Sequence, residues 1–325
     1  MQTHTNYIGI DISKLTFDVA IRQEQAYKHY KFDNNLDGFL ALIKVLPAES
    51  VVVMEASGPY YLRLASFLAG KGVEVSVINP LVIRRFCQMR MSRAKTDKKD
   101  AMMIAEYGQS EKPGLWQVPQ EQVISLQQME SLLTKLEQEQ RSLKNQLESF
   151  SNSGRLDKKV EKLIKKELIH KQRIIDKLTK EIEELAAQHY ASLLEELQSI
   201  PGLGKKAAIA LAVISNGFTK FDNYRQLSSY VGLSPRIYES GTSVKGKARI
   251  CKLGMSQMRS ILYMCSWSAS RYNKACREVY ERLLAKGKAK KVALIAVANK
   301  LLKQAFAIAT KHTLYDENYL TKPCF

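Results

Sequence analysis

Residues 50–54 read Ser-Val-Val-Val-Met, an unbroken apolar run after the serine. A strand of that kind presents apolar side chains on both faces, so it needs cover on both sides. An open-faced sheet cannot give that cover, whereas a sheet layered between helices can. The flanking patterns agree. Tyr7–Asp11, Leu15–Ile21 and Ala26–Phe32 are three short β-rich runs with polar turns between them, which predicts a meander. Leu36–Leu46 and Tyr60–Ala69 have helical spacing, and Gly58-Pro59 separates the second from the apolar strand. Val73–Ile78 is a further strand, stopped by Asn79-Pro80, and helices follow over Leu81–Met91 and Asp97–Gln109.

This order, three strands and then alternating helices and strands, resembles the ribonuclease-H-like (RuvC-like) α/β fold, and it occupies residues 1–118. Residues 119–198 change character. Leu126, Met129, Leu133, Leu136, Gln140, Leu143 and Leu147 fall at spacings 3-4-3-4-3-4, a heptad seam with one polar position. After a turn at Ser151–Asp157, a less regular seam runs through Val160, Ile164, Ile175, Leu178, Ile182 and Leu185. The simplest reading is an antiparallel coiled-coil hairpin; an exposed seam would need a partner chain. Residues 199–325 are expected to be mainly α, with helices over Ser256–Trp267, Lys274–Ala285 and Lys291–Thr310.

Charge divides the chain along the same lines. The net charge is +18, and residues 199–325 hold 22 Lys/Arg against 6 Asp/Glu, a net of +16. So concentrated a positive field points to a polyanion, most simply nucleic acid. The 5 cysteines are scattered and never spaced C-x-x-C, which argues against a disulfide framework or zinc finger and fits a reducing cytosol. The N-terminus lacks a basic and apolar leader, and no run of 18 apolar residues occurs. A cytoplasmic protein with no membrane span is therefore expected.

Candidate chemistry lies at strand ends. Asp11 closes the first strand, Glu55 closes the apolar strand, and Asp97 and Asp100 sit three apart at a helix start, on one face. In a ribonuclease-H-like sheet the first and fourth strands are neighbours, which brings Asp11 beside Glu55. Four gathered carboxylates cannot all stay ionised uncompensated. Two Mg²⁺ ions about 4 Å apart would compensate them and could act on a phosphodiester. Asp97 could instead be a helix N-cap, and Asp18 and Asp33 read as surface residues.

Two further segments suit nucleic acid. Ile200-Pro201-Gly202-Leu203-Gly204-Lys205-Lys206-Ala207 has the helix-hairpin-helix form: Gly202 and Gly204 permit a tight turn, and the next helix offers free N–H groups to a phosphate beside Lys205 and Lys206. Such contacts position a duplex without reading its sequence. In Tyr238–Arg249 a Ser240-Gly241 pair precedes Lys245, Lys247 and Arg249, which share a face if the backbone is extended. Ser240 is sterically open enough to attack a phosphodiester, but an ordinary turn serine reads the same way, and Tyr238 is a rival nucleophile. None of the 5 histidines is placed to complete a Ser/His/Asp triad.

Along nearly its whole length the chain resembles the DEDD transposases of the bacterial insertion-sequence family IS one-ten. The motifs are Gly9-Ile10-Asp11-Ile12-Ser13-Lys14, Met54-Glu55-Ala56-Ser57-Gly58-Pro59-Tyr60, Val75–Pro80, Lys95–Ala101, Ile200–Gly204, Gly232–Arg236 and Tyr238–Gly246. The resemblance implies a RuvC-like domain at 1–118 whose Asp11, Glu55, Asp97 and Asp100 hold Mg²⁺. It also implies a coiled-coil segment at 119–198 and a transposase domain at 199–325 with Ser240 as nucleophile. It further implies recombination of donor and target DNA guided by a structured noncoding bridge RNA, in a homo-oligomer (dimer or tetramer) whose active site is shared between subunits, in the bacterial cytoplasm at the nucleoid. Two other readings stand beside it. One is a RuvC-like nuclease or junction resolvase that uses water; the other is a non-enzymatic nucleic-acid scaffold.

Overall fold

The computed structural model describes residues 6–24, 26–91, 96–236, 239–240, 244–245, 249–250 and 254–318. They divide into two compact units, Met1–Pro119 and Gln120–Phe325.

The first unit is built on five strands: β1 (Asn6–Ile12), β2 (Thr16–Gln23), β3 (Ala26–Asp33), β4 (Ser50–Glu55) and β5 (Glu74–Ile78), in spatial order β3-β2-β1-β4-β5. The meander β1–β3 is antiparallel, and β4 runs parallel to both β1 and β5. The apolar run forms β4, whose Val51–Met54 are all buried. Its two faces belong to different layers. Val52 and Met54 join Ile8, Ile10 and Phe17 under α1 (Leu36–Val45) and α2 (Tyr61–Gly70). Val51 and Val53 join Ile83 of α3 (Pro80–Met89) and Ile104 of α4 (Asp97–Glu111). This mixed α/β arrangement is consistent with a ribonuclease-H-like first unit.

Helix α4 lies against β1 at backbone contact. A Cβ on Gly9 would stand 2.0 Å from the Ala101 carbonyl oxygen and 2.4 Å from the Ala105 nitrogen. Only glycine fits there, and Ala101 and Ala105 keep the helix side of the contact equally thin. The start of α4 is set by Thr96, whose Oγ1 accepts from the Lys99 N–H at 3.2 Å. Thr96 is thus the N-cap, and Asp97 is the first helical residue rather than the cap.

The second unit opens with α5 (Glu121–Asn152) and α6 (Lys158–Gln198), a helical hairpin. Only Ser153–Asp157 join the two helices, so they fold back antiparallel, and Lys171 pairs with Glu139 at 2.8 Å and Gln140 donates to Gln172 at 2.7 Å across them. The heptad seam is consumed inside the chain. Leu126 and Leu133 are buried with Ile175, Leu178 and Ile182, in one core with α7 (Lys205–Ser215), α8 (Tyr224–Val231), α9 (Ser256–Tyr272), α10 (Lys274–Ala285) and α11 (Lys290–Lys311). Val160, expected in the second seam, is exposed. The pairings above set it opposite Phe150–Asn152 at the hairpin's end, where the facing helix has no continuous apolar stripe. Helix α7 is buried from Ala207 to Val213, so it forms the centre of the unit. Helix α11 is long and apolar enough to cross a membrane by length and composition, but half of its most apolar stretch is buried in this core. Short strands β6 (Pro235–Arg236), β7 (Glu239–Ser240), β8 (Val244–Lys245) and β9 (Arg249–Ile250) complete the unit.

The Gly9 contact gives a stability test. Gly9→Ala should lower the unfolding free energy in urea by about 1–3 kcal/mol or more, because either α4 or β1 must move. A change below about 0.5 kcal/mol would show that the two elements are not in contact.

Candidate active site

The end of the first unit's sheet gathers the carboxylates. Ile10 pairs with Met54, so Asp11 and Glu55 follow one another across neighbouring strands on the α4 face. Asp97 and Asp100 occupy the first turn of α4, where negative charge also suits the helix dipole. Ser57 Oγ donates to Glu55 Oε1 at 2.8 Å and fixes that side chain. The electrostatic result falls on Asp11. Its pKa rises from 3.8 to about 6, first through burial, then through the charges of Asp100, Glu55, Asp97 and Asp18. The Cys87 thiol on α3 is also pushed up, by burial first and then by Asp100 and Glu55. Asp100, Glu55 and Asp97 thus all raise the same carboxyl, that of Asp11.

These hard oxygen donors suit a divalent cation in kind, and the charge crowding on Asp11 is what such an ion relieves. Their spacing is open. Among the described residues, no group of three or more His, Cys, Asp or Glu is close enough to enclose a metal ion.

Asp18 corrects the sequence reading. It is 5% exposed, not a surface residue, because β2 is an interior strand whose Asp18 faces the same layer as Asp11, its cross-strand partner. A 2.6 Å hydrogen bond joins Asp18 Oδ1 to His29 Nε2, and Lys31 Nζ lies 3.6 Å from Oδ2. Asp18, His29 and Lys31 thus flank the acidic cluster. The signal was present: a short turn between Ile12 and Thr16 forces Asp11 and Asp18 into register.

The second unit holds the other candidates. Ser240 lies on β7, paired with Val244, and Glu239 pairs with Lys245. Arg249 lies on β9, paired with Arg236. The expected shared face of Lys245, Lys247 and Arg249 runs through residues 246–248, which lie outside the described residues. Tyr238, Gly241, Gly246 and Lys247 lie outside the described residues.

The Pro201–Gly204 turn has the expected shape, with Gly202 at φ +100 and packed so closely on Ala269 of α9 that a Cβ would stand 2.6 Å from the Ala269 Cβ. Gly204 is the N-cap of α7 and has open space around it. Lys205 and Lys206 are not free. Lys205 Nζ lies 2.5 Å from Glu183 and Lys206 Nζ lies 2.6 Å from Glu137, so both tie α7 to the hairpin.

Comparison with known proteins settles the class. Residues 8–151 match a transposase model of the DEDD IS110 group, and residues 194–281 match the model described as the transposase IS116/IS110/IS902 family. Pilin gene-inverting proteins of Moraxella bovis and Moraxella lacunata are each 32% identical over 324 residues, covering 96% of this chain and 98% of the relative. A transposase for an insertion sequence element of Coxiella burnetii is 24% identical over 339 residues, covering 95% of this chain and 90% of the relative. These matches place the chain among enzymes that act on DNA. The chain belongs to the IS110 family of transposases, DNA recombinases that move or rearrange DNA segments.

The raised Asp11 makes stability depend on pH in a definite direction. Between pH 3.8 and about 6 the unfolded chain has released this proton while the folded chain retains it. Rising pH across that window therefore destabilises the fold through this group, and the loss persists above it. In divalent-free buffer, Asp11→Asn should melt at a higher temperature than the parent at pH 7, with the advantage vanishing below pH 4. An equal or lower melting temperature at pH 7 would contradict the crowded-carboxylate description.

Proposed function

We propose that this transposase cuts and rejoins DNA through a covalent ester between Ser240 and a strand phosphate, with Asp11, Glu55, Asp97 and Asp100 as holders of Mg²⁺. The observation that carries the reading is the placement of Asp11 beside Glu55 at the sheet end with Asp97 and Asp100 in the first turn of α4, three charges that bear on Asp11. Bound there, a pair of Mg²⁺ ions supplies charge neutralisation and polarisation of the phosphate. The Ser240 oxygen forms a bond to phosphorus as one phosphorus–oxygen bond of the strand breaks, and the serine proton ends on the departing strand oxygen. Attack by another strand's hydroxyl reverses the step and frees the serine, so rejoining needs no nucleotide triphosphate. The names of the Moraxella relatives, which invert a gene, support rejoining over simple hydrolysis.

The finer assignments belong to the same reading. Donor and target DNA are selected by a structured bridge RNA, which the family resemblance and the +16 charge of residues 199–325 support. The helix-hairpin-helix element at Gly202, Gly204, Lys205 and Lys206 holds backbone phosphates, as do Lys245, Lys247 and Arg249 of the serine hairpin. Lys205 and Lys206 exchange their glutamates for phosphates at little cost, because exposed ion pairs contribute roughly 0–1 kcal/mol. The coiled-coil hairpin mediates self-association through its outer side, where Leu163 and Ile169 are 67% and 57% exposed, and the active site is shared between chains.

Mass spectrometry of trapped complexes tests the chemistry. A DNA phosphate should appear on Ser240, and Ser240→Ala, Asp11→Asn, Glu55→Gln, Asp97→Asn and Asp100→Asn should each abolish it. Mixing Ser240→Ala with Asp11→Asn chains should restore part of the activity. An adduct on Tyr238, or cleavage with no adduct, would reject the serine mechanism and favour a nuclease using water.

The oligomer is tested separately. Leu163→Glu with Ile169→Glu should shift sedimentation toward smaller species while leaving helix content unchanged, since neither residue is in the core. Unchanged sedimentation would remove the hairpin's outer face from the assembly.

A further inference from the structure

Helix α9 carries an exposed stripe that its packing does not require. Met264, Trp267 and Arg271 follow at spacings of three and four, and Tyr272 adds a ring at the last residue of the helix, with Met264 67%, Trp267 44% and Tyr272 67% exposed. The opposite side of the helix is fixed. Met258, Leu262 and Ala269 are in the unit's core, and the Gly202 turn rests on Ala269. The rings therefore stand on a rigid support. The helix holds Arg259 and Arg271 and no Asp or Glu. Lys274 and Arg277 are exposed in the first turn of α10, and Arg277 donates to the Arg271 carbonyl, which holds that cation at the end of the stripe.

Flat apolar rings on a helix without Asp or Glu, beside three cations that outnumber the neighbouring Glu278, match one chemistry: bases with open faces on a phosphate chain. A duplex hides its base faces, so the fit is to an unpaired strand. A second copy of this chain fits worse, because its own arginines would meet these. We propose that Trp267, with Tyr272, stacks on bases of an unpaired DNA strand, and that Arg271, Lys274 and Arg277 hold its phosphates. The inference rests on the DNA-recombinase reading, in which strands separate during exchange, and it assigns a holding site for a separated strand outside the proposed catalytic groups.

The chain has 2 tryptophans, and Trp116 lies in the first unit against Tyr61. Trp116→Phe in the full-length protein therefore makes Trp267 the sole reporter. Oligothymidylate should quench its fluorescence saturably, and more tightly than a duplex of equal length or the matching RNA. Trp267→Ala should lower oligothymidylate affinity about 5-fold or more with less than about twofold change for duplex, and Trp267→Phe should recover most of the loss. Tyr272→Ala should act in the same direction, which covers a folding defect at Trp267. Unchanged affinity in both alanine variants, equal quenching by duplex, or tighter binding of the RNA would overturn the proposal. Stacking that persists where no Ser240 adduct forms would sink only the serine mechanism; an adduct with a silent Trp267 would sink only the strand site.

Discussion

The approach of Asp97 and Asp100 to the carboxylates at the sheet end depends on how low α4 lies on β1. The contact is backbone to backbone at Gly9, and Ala101 and Ala105 complete it. Because the helix sits that low, its first turn arrives beside the end of the sheet, where Asp11 and Glu55 already stand one strand apart. Chain order then matters little: residues as far apart in sequence as Asp11 and Asp100 act on one proton. The unit stores an electrostatic cost at that point, offset by burial of the apolar layers on both sides of β4. Such a cost persists in a fold when the charges serve a ligand, and the family's chemistry at DNA phosphates supplies that reason.

The second unit is organised differently. Its centre is a helix apolar on all sides, α7, and every other helix of the unit shares one core with it. The hairpin seam, which alone suggests a partner chain, is closed by its own second helix and by that core. Lys205 and Lys206 illustrate the same economy: they complete ion pairs with Glu183 and Glu137. Such pairs are weak in water and easily exchanged, so a basic surface can be structurally satisfied at rest and still receive phosphates.

Much of the first unit was legible in the sequence for one physical reason: period-2 and period-3.6 patterns alternate cleanly there, and a strand apolar on both faces dictates layers. Asp11 and Glu55 were nominated because a carboxylate at the end of an apolar strand is costly without a purpose, and Asp97 and Asp100 because they share one face of a helix start. Asp18 was missed because its burial depends on helix cover as well as on the cross-strand register that the short Ile12–Thr16 turn sets. Thr96 took the cap assigned as an alternative to Asp97, since a hydroxyl one residue earlier reaches the Lys99 N–H. Val160 failed as a seam residue because a seam ends where its facing helix ends. Trp267 was not singled out at all: a lone exposed aromatic becomes informative only once its helix is known to be otherwise packed.

The central claim is that the α4–β1 contact assembles a divalent-cation site from four carboxylates. Titration of Mn²⁺ into the full-length protein, with free ion followed by electron paramagnetic resonance, tests it without relying on DNA or catalysis. The account predicts tight binding by the parent, loss in Asp11→Asn, and a roughly tenfold or greater weakening in Gly9→Ala, where all four carboxylates are intact but α4 is displaced. Equal Mn²⁺ affinity in the parent and Gly9→Ala, or binding that survives Asp11→Asn, would contradict it.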